Sequence, residues 1–276
     1  MEMKAYAKVN LMLNVCGRRS DGYHDLATVM HAIDLYDTVT IEPAEDIRIS
    51  ADVPLPERSA AYKAVAAYKN AANCGGAHVY IKTGIPSEAG LGSSSADAAA
   101  VLRAMQMHYG ALSEEALFAI AAKIGADVPF CLLGGCALCE GIGEKMTPLP
   151  TVPLHLLIVK GERGVSTKAL FTSLQLPLPM EDAHAAAAAI RNGDRAALLP
   201  HVYNALAEPA AAIAPETKAY KARLADAGAL AAEMTGSGSA VFGIFPTEEA
   251  AQQAAALFPD AAFVQAVKTL CNSSET

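Results

Sequence analysis

The stretch Gly84-Ile85-Pro86-Ser87-Glu88-Ala89-Gly90-Leu91-Gly92-Ser93-Ser94-Ser95-Ala96-Asp97 constrains this chain more than any other. It lies between a strand-like run, Ala77 to Thr83, and a long alanine-rich helical run, Ala96 to Tyr109. A strand, a Gly/Ser loop and a helix start form an arrangement suited to anions. Glycines let the backbone approach a phosphate closely, and the N–H groups of a helix start point at it. The serines can cap the helix or offer hydroxyls to phosphate oxygens or to a metal. The plainest alternative is a flexible loop with a serine N-cap. No Gly-Lys-Ser/Thr follows the spacer, so the loop is not a Walker A motif, and its spacing is not the dinucleotide GxGxxG.

A chain of 276 residues can hold one large domain or two of ordinary size. It is 53% apolar and 18% charged, a globular composition. The net charge of −8 argues against broad nucleic-acid or anionic-membrane binding, where a basic surface supplies most of the affinity. A phosphate-bearing ligand therefore needs locally placed cations and N–H groups. No apolar run reaches the ~18 residues that cross a bilayer. Met1-Glu2-Met3-Lys4 passes straight into a strand pattern and reads as no secretory or transit segment, so the expectation is a soluble cytoplasmic protein. The six cysteines are Cys16, Cys74, Cys131, Cys136, Cys139 and Cys271. Three share a C-x4-C-x2-C spacing that resembles part of a plant-type iron–sulfur signature. Their segment is strongly apolar, which favours buried cysteines acting as small hydrophobes. A disulfide framework is not expected in the cytoplasm.

Residues 5 to 15 alternate. Ala5, Ala7, Val9, Leu11, Leu13 and Val15 form one face; Tyr6, Lys8, Asn10, Met12 and Asn14 form the other. That is a strand with one buried face, and it puts Lys8 and Asn10 on one side, about 7 Å apart. From alternation alone Lys8 reads as a solvated strand residue. Asp21-Gly22 marks a turn, with Arg18 and Arg19 most simply solvated. Tyr23 and His24 offer an aromatic face beside a hydrogen-bonding ring, which suits a nucleobase. Further strands are expected over Leu26 to Leu35, Asp37 to Glu42 and residues 46 to 50. Val53-Pro54-Leu55-Pro56 breaks the chain before a helix from Ser59 to Asn73, ended by Gly75-Gly76. After the Gly/Ser loop, the helix Ala96 to Tyr109 stops at Gly110. Ser113 opens another, with Glu114 and Glu115 in its first turn, ending near Gly125. Asp127, in Gly125-Ala126-Asp127-Val128-Pro129-Phe130, reads locally as a cap or turn aspartate; the other reading is a carboxylate aimed into a site. Cys136 to Glu140 reads as a strand and Gly141 to Glu144 as a turn.

Thr147-Pro148-Leu149-Pro150-Thr151-Val152-Pro153 is the best candidate boundary, giving domains 1–152 and 153–276. Beyond it, strands are expected at Leu154 to Lys160, Ala231 to Thr235, Ala240 to Phe245 and Ala261 to Val267. Helices are expected at Ser166 to Leu174, Glu181 to Arg191, Pro215 to Ala227 and Thr247 to Leu257. This mixture suggests an α+β sandwich of ferredoxin-like arrangement. Gly236-Ser237-Gly238-Ser239 is either a plain hairpin connection or a loop presenting N–H groups to an anion.

Several stretches, in order, identify a family. Ala7-Lys8-Val9-Asn10-Leu11, Gly17-Arg18-Arg19 and Asp21-Gly22-Tyr23-His24-Asp25-Leu26 resemble the N-terminal signature of the 4-diphosphocytidyl-2-C-methyl-D-erythritol kinases, a family of the GHMP kinase superfamily. Thr28-Val29-Met30 and Asp34-Leu35-Tyr36-Asp37 continue the match. Ile85-Pro86 through Ala100 resembles the superfamily's phosphate loop. Gly125 to Phe130 with Gly141 to Glu144 resembles the region of the catalytic aspartate, and Thr235 to Phe242 the third motif. The resemblance runs from residue 5 to about 245. Two departures stand out. The family loop usually reads Ala-Gly-Leu-Gly-Gly-Gly-Ser-Ser-Asp, whereas here Ser93 and Ser94 replace two glycines and Ala96 replaces a serine. The usual Asn-Asp-Leu-Glu is Asn204-Ala205-Leu206-Ala207-Glu208, which lacks the first acid.

The resemblance implies an α+β GHMP kinase two-domain fold, with an N-terminal ribosomal S5 domain 2-like domain and a C-terminal ferredoxin-like α/β sandwich. It implies Lys8 and Asp127 as the catalytic pair. Pro86, Ala89, Gly90, Leu91, Gly92, Ser93, Ser94 and Ser95 would bind ATP phosphates, with Ser95 the match for a Mg²⁺ hydroxyl. Asn10, Tyr23, His24, Thr167 and Phe171 would contact the substrate, and Gly236, Ser237 and Gly238 form the third-motif loop. The implied reaction is ATP-dependent phosphorylation of the 2-hydroxyl of a cytidine-diphosphate-linked polyol, 4-diphosphocytidyl-2-C-methyl-D-erythritol, in non-mevalonate isoprenoid precursor synthesis. The alternatives are a homoserine- or mevalonate-type GHMP kinase and a non-catalytic ligand-binding protein on the same fold. Retention of both Lys8 and Asp127 argues against the last. No nucleic-acid or membrane partner is expected. A homodimer is compatible with the sequence, which sets no oligomeric state.

Overall fold

Two long strands open the chain, β1 (Glu2–Arg18) and β2 (His24–Ala44). The computed structural model describes residues 1–270, in two compact units through which both strands pass. The first unit comprises Met1–Ala7, Leu35–Ile85 and Gly92–Leu133; the second comprises Lys8–Asp34, Pro86–Leu91 and the chain from Gly134 onward.

In the first unit β3 (Ile47–Ala51) lies parallel to β4 (Gly76–Lys82), which pairs antiparallel with the second half of β2, Thr38 opposite Lys82. The helices are α1 (Ala60–Ala72), α2 (Ser93–Tyr109), α3 (Glu114–Ile124) and α4 (Val128–Leu133). Helix α1 buries Ala61, Ala64, Val65 and Tyr68, a stripe at helical spacing. Helix α2 packs on α1 and α4, and its alanines at 96 and 98–100 let these neighbours approach closely. Ser113 caps α3 as expected, and Ser59 caps α1 rather than lying inside it. The left-handed Asn73, not Gly75-Gly76, ends α1, its N–H reaching Lys69 O. Gly76 is needed for close approach instead, since a Cβ there would lie 2.3 Å from the Asp46 carbonyl.

The second unit holds β5 (Cys136–Gly141), β6 (Lys145–Leu149), β7 (His155–Lys160), α5 (Thr167–Ser173), α6 (Ala183–Arg191), α7 (Arg195–Leu198), β8 (Tyr203–Asn204), α8 (Ala207–Ala211), α9 (Glu216–Asp226), β9 (Ala231–Met234), β10 (Val241–Phe245), α10 (Glu248–Ala255) and β11 (Phe263–Lys268). One group of strands pairs the first half of β2 with β5, β5 with β6, and β1 in parallel with β8. A separate antiparallel sheet runs β11-β7-β10-β9. Taken as β7, β9, β10 and β11, its strands stand in the order fourth, first, third, second, with α5 to α9 in one crossover and α10 in the other. That is the ferredoxin-like arrangement expected for this half. Its core gathers Leu157, Val159, Leu170, Leu206, Leu224, Val241 and Phe245.

Three further expectations change. The strands expected over 26–35 and 37–42 are one strand, with Tyr36 continuing β2 between them. Helix α2 starts three residues early, at Ser93, so the serines lie inside it. The proline-rich stretch from Thr147 is partly strand: Pro148 is tolerated because β6 pairs on one side only, with β5. The short elements α4, α7, β8 and α8 carry too little periodicity to be read from sequence. No helix among the described residues is long and apolar enough to cross a membrane.

A pair of carboxyls sits in the first unit. Asp37 is 0% exposed, and its Oδ1 accepts from the Gly84 and Ile85 N–H groups at 2.6 and 2.7 Å. Its Oδ2 accepts from Ser93 Oγ at 2.8 Å. Asp97, 6% exposed, meets Asp37 through its side chain, while its Oδ1 has no hydrogen-bond partner among the described residues. Burial first, then the Asp37 charge, push the Asp97 carboxyl up to about 8. The folded chain therefore holds a proton at neutral pH that the unfolded chain has released. The stabilisation this gives is fully present below the unfolded pKa of about 4 and is lost as pH rises through about 8. Asp97→Asn mimics the neutral carboxyl. Urea unfolding between about pH 5 and pH 9 should show its advantage over wild type growing up to about pH 8 and then levelling. Parallel profiles would contradict the buried-proton assignment.

Candidate active site

Lys8 is 3% exposed, which corrects the solvated reading that alternation favoured. A buried ammonium must be satisfied, and here it is. Its Nζ donates to Asn10 Oδ1 at 2.7 Å and to the Gly90 carbonyl at 2.8 Å. Asn10 Nδ2 donates to Thr28 Oγ1 at 2.9 Å, and Thr28 donates onward to the Met12 carbonyl at 2.6 Å. The Asn10 N–H reaches Thr235 Oγ1 at 3.0 Å. On the face of β1 that alternation left to solvent, residues 86–91 and the β9–β10 connection meet Lys8 and Asn10, while Asn14 is held by the Glu181 backbone.

Those loops are joined through backbone. Ser239 N–H donates to Glu88 O and Ala240 N–H to Ala89 O, both at 3.1 Å, and Lys8 N–H donates to Leu91 O at 3.0 Å. Gly90 has φ +74, and a Cβ there would lie 2.1 Å from the Thr235 carbonyl. A Cβ on Gly236, φ +53, would lie 2.7 Å from the Gly90 carbonyl and 3.1 Å from Lys8 Nζ. No side chain but hydrogen fits at either position. Asn204 holds the connection from behind, with Nδ2 donating to Met234 O and Gly236 O at 2.8 Å and Oδ1 accepting from Leu206 N–H at 2.9 Å. The connection is thus both a hairpin link and one side of the Lys8 environment.

The expected base-binding residues share this unit. The His24 and Phe171 rings lie 5.2 Å apart, tilted by 43°. Burial, then the Arg18 charge, lower the His24 pKa and so favour the neutral ring, which keeps both a donor and an acceptor. Tyr23 is 60% exposed on the preceding turn, which Arg19 braces by pairing with Asp21 and Asp25. Thr167 Oγ1 and Ser237 Oγ lie 2.7 Å apart, tying α5 to the third-motif loop.

The first unit holds the rest. Gly92, at φ +79, precedes α2, and no side chain caps that helix, so the serine N-cap reading fails. Ser95 N–H turns back to the Gly92 carbonyl at 3.0 Å, and no side chain caps the amides of Ser93 and Ser94 ahead of it. The Ser93 hydroxyl is committed to Asp37. Ser94 is exposed and Ser95 half-buried; a Cβ on Gly125 would sit 3.9 Å from Ser95 Oγ. Ala89 and Leu91, in the second unit, bury their side chains, and Pro86 is half-buried. Asp127 is half-buried just ahead of α4, its carbonyl accepting from Cys131 N–H at 3.0 Å, so its backbone caps a helix whatever its carboxylate does.

Sequence reasoning missed Thr28, Thr235 and Asn204 as groups orienting Lys8, Asn10 and the third loop, and Asp37 as an anchor. The available signal was a polar residue interrupting an apolar strand. Cys136 and Cys139 are buried in β5, and burial pushes the Cys136 thiol up to about 12. Among the described residues no group of three His, Cys, Asp or Glu could hold a metal, and Cys271 lies outside them.

Residues 59–135 match the GHMP kinases N terminal domain and residues 186–262 the GHMP kinases C terminal domain. The chain is 40% identical over 265 residues to a 4-diphosphocytidyl-2-C-methyl-D-erythritol kinase of Caldicellulosiruptor saccharolyticus, covering 92% of this chain and 91% of that one. A Clostridium tetani protein of the same name is 40% identical over 261 residues, covering 91% and 93%. A crystal structure of 4-(cytidine 5'-diphospho)-2C-methyl-D-erythritol kinase superposes with a TM-score of 0.84 at 35% identity, covering 98% and 99%. A homoserine kinase from Cytophaga hutchinsonii, at 0.76 and 21%, shares the fold alone. The chain belongs to the 4-diphosphocytidyl-2-C-methyl-D-erythritol kinase family of the GHMP kinases.

Proposed function

We propose that this chain transfers the γ-phosphoryl group of ATP to the 2-hydroxyl of 4-diphosphocytidyl-2-C-methyl-D-erythritol, giving the 2-phosphate and ADP, in the cytoplasm. The observation that carries the reading is the buried Lys8 ammonium, held at 2.7 and 2.8 Å by Asn10 and by the Gly90 carbonyl of the loop that resembles a phosphate loop. A buried cation against a glycine-rich loop suits a polyphosphate ligand on a chain of net charge −8.

The acceptor is a tertiary alcohol, a very weak acid. A carboxylate cannot strip its proton in the ground state. In a loose phosphoryl transition state it need not, because orientation and late proton transfer suffice. Asp127 is the assigned carboxylate, and Lys8 the cation that stabilises charge developing on the transferred group. The backbone of residues 89–92 and the uncapped amides of α2 are the assigned cradle for the triphosphate. A divalent metal fits on limited terms. With no three-residue acidic or His/Cys cluster among the described residues, Mg²⁺ would rest on phosphate oxygens plus one or two protein oxygens, and the Ser95 hydroxyl is a hard oxygen of that kind. Bound there, the ion would offset phosphate charge. Neutral His24 would read the cytosine edge, Phe171 and Tyr23 would supply stacking faces, and Asn10 and Thr167 would contact the polyol diphosphate. Binding the remote cytosine orients the hindered hydroxyl.

ADP release measured with ATP and each of 4-diphosphocytidyl-methylerythritol, homoserine and mevalonate tests the assignment. Turnover is expected with the cytidine compound. Turnover of homoserine or mevalonate alone would replace it with another GHMP kinase, and no turnover at all would favour a binding protein. Asp127→Asn should lower kcat by at least ~100-fold with KM little changed. A variant near the wild-type rate would remove Asp127 from the chemistry. Tyr23→Ala should raise KM for the cytidine substrate by roughly 5- to 100-fold, the loss of one stacked base. An unchanged KM would take Tyr23 out of the base site.

A further inference from the structure

Asp37 lies on β2 one residue beyond the Thr38–Lys82 pair, where β4 gives way to the glycine-rich loop. It is wholly buried, and both carboxylate oxygens are committed to that loop's two ends. Oδ1 accepts from the Gly84 and Ile85 N–H groups at the entry, and Oδ2 from the Ser93 hydroxyl at the first residue of α2. These are short, charge-assisted bonds of the stronger class. The entry is pressed against the same strand: a Cβ on Gly84 would lie 2.3 Å from the Tyr36 carbonyl. Ser93 stands where the family's loop usually carries glycine, and its hydroxyl is occupied with Asp37 rather than with a ligand. Asp97, one helical turn after Ser93, brings a second carboxyl to Asp37 and buries α2 against it.

We propose that Asp37 is a positioning residue for nucleotide binding: one buried carboxylate ties the entry of the phosphate loop to the start of α2. The uncapped α2 amides are thereby fixed before any phosphate arrives. Ser93 is this chain's own addition to the clamp, converting a flexible glycine position into an anchored one. A preorganised set of donors loses less ordering free energy when the anion binds. Releasing one anchor should therefore weaken nucleotide binding without touching the transferred group or the cytidine end. The inference rests on the kinase reading, since it concerns how that reading's phosphate cradle is held.

The test uses the full chain and the variants Ser93→Ala, Ser93→Gly and Asp37→Asn. Titration calorimetry gives Kd for Mg·ADP, and steady-state kinetics give kcat and KM for ATP and for the cytidine substrate. Asp37→Asn should raise the nucleotide Kd and the ATP KM by about tenfold or more, the scale of one lost charged hydrogen bond. Ser93→Ala should raise both by about threefold or more, and Ser93→Gly by more than Ser93→Ala. For all three, kcat and the cytidine KM should stay within about twofold of wild type. A merely structural Asp37 would lower the melting temperature and the active fraction while leaving both nucleotide constants at wild-type values, and that result would overturn the proposal. Should Asp37→Asn fail to fold, the two Ser93 variants decide, because they leave the Gly84 and Ile85 bonds in place. A wild-type protein that binds no nucleotide would end both this inference and the kinase reading; one that binds and turns over while the variants match it would end this inference alone.

Discussion

The candidate site residues of the second unit are arranged around one buried cation. A Lys8 ammonium taken from water into a closed protein environment is costly unless its protons find acceptors. The two acceptors named here come from different places: Asn10, two residues along the same strand, and the carbonyl of Gly90, eighty-two residues away. The first follows from strand geometry, which puts alternate residues on one side. The second exists only because Gly90 can turn left-handed and lie almost in contact with the Thr235–Gly238 backbone. Folding of the second unit therefore places the cation, the glycine-rich loop and the third-motif loop in one operation.

The two departures from the family pattern look less severe with the side chains in view. Asn204 keeps its place, and all three of its bonds serve to hold the β9–β10 connection and the chain after β8. The missing acid beside it, Ala205, is a buried core position whose N–H donates to Leu13 O, so the backbone pairing survives the change. The extra serines divide: Ser93 is spent on Asp37, Ser94 is exposed, and Ser95 remains the residue whose hydroxyl stands beside Gly125.

Much of this was legible in the chain itself, and the failures share a cause. Period-two alternation located β1, the Pro-rich break located α1, and a capping serine located α3, because those signals are local. The strand–helix rhythm after residue 153 anticipated the ferredoxin-like sheet. Lys8 was misread because burial of the second face of β1 depends on loops nearly a hundred and more than two hundred residues away. The single length of β2 was harder to read, because the polar residues from Asp34 to Asp37 interrupt the apolar pattern while the donors that satisfy Asp37 lie 47 to 56 residues away. The roles proposed for Lys8, Asn10 and His24 came from the order of short motifs. Periodicity could not supply them, because it describes packing and not chemistry.

The central claim is that phosphoryl transfer goes to a tertiary hydroxyl on a cytidine-linked polyol, and the phosphorus NMR spectrum of the product tests it most directly. Carbon 2 of the methylerythritol unit bears no hydrogen. Incubation with ATP, Mg²⁺ and 4-diphosphocytidyl-2-C-methyl-D-erythritol should therefore yield, beside ADP, a new phosphomonoester resonance with no splitting from a carbinol proton. A resonance split by such protons would place the phosphate on a primary or secondary hydroxyl. That outcome, or no new phosphomonoester at all, would contradict the assignment.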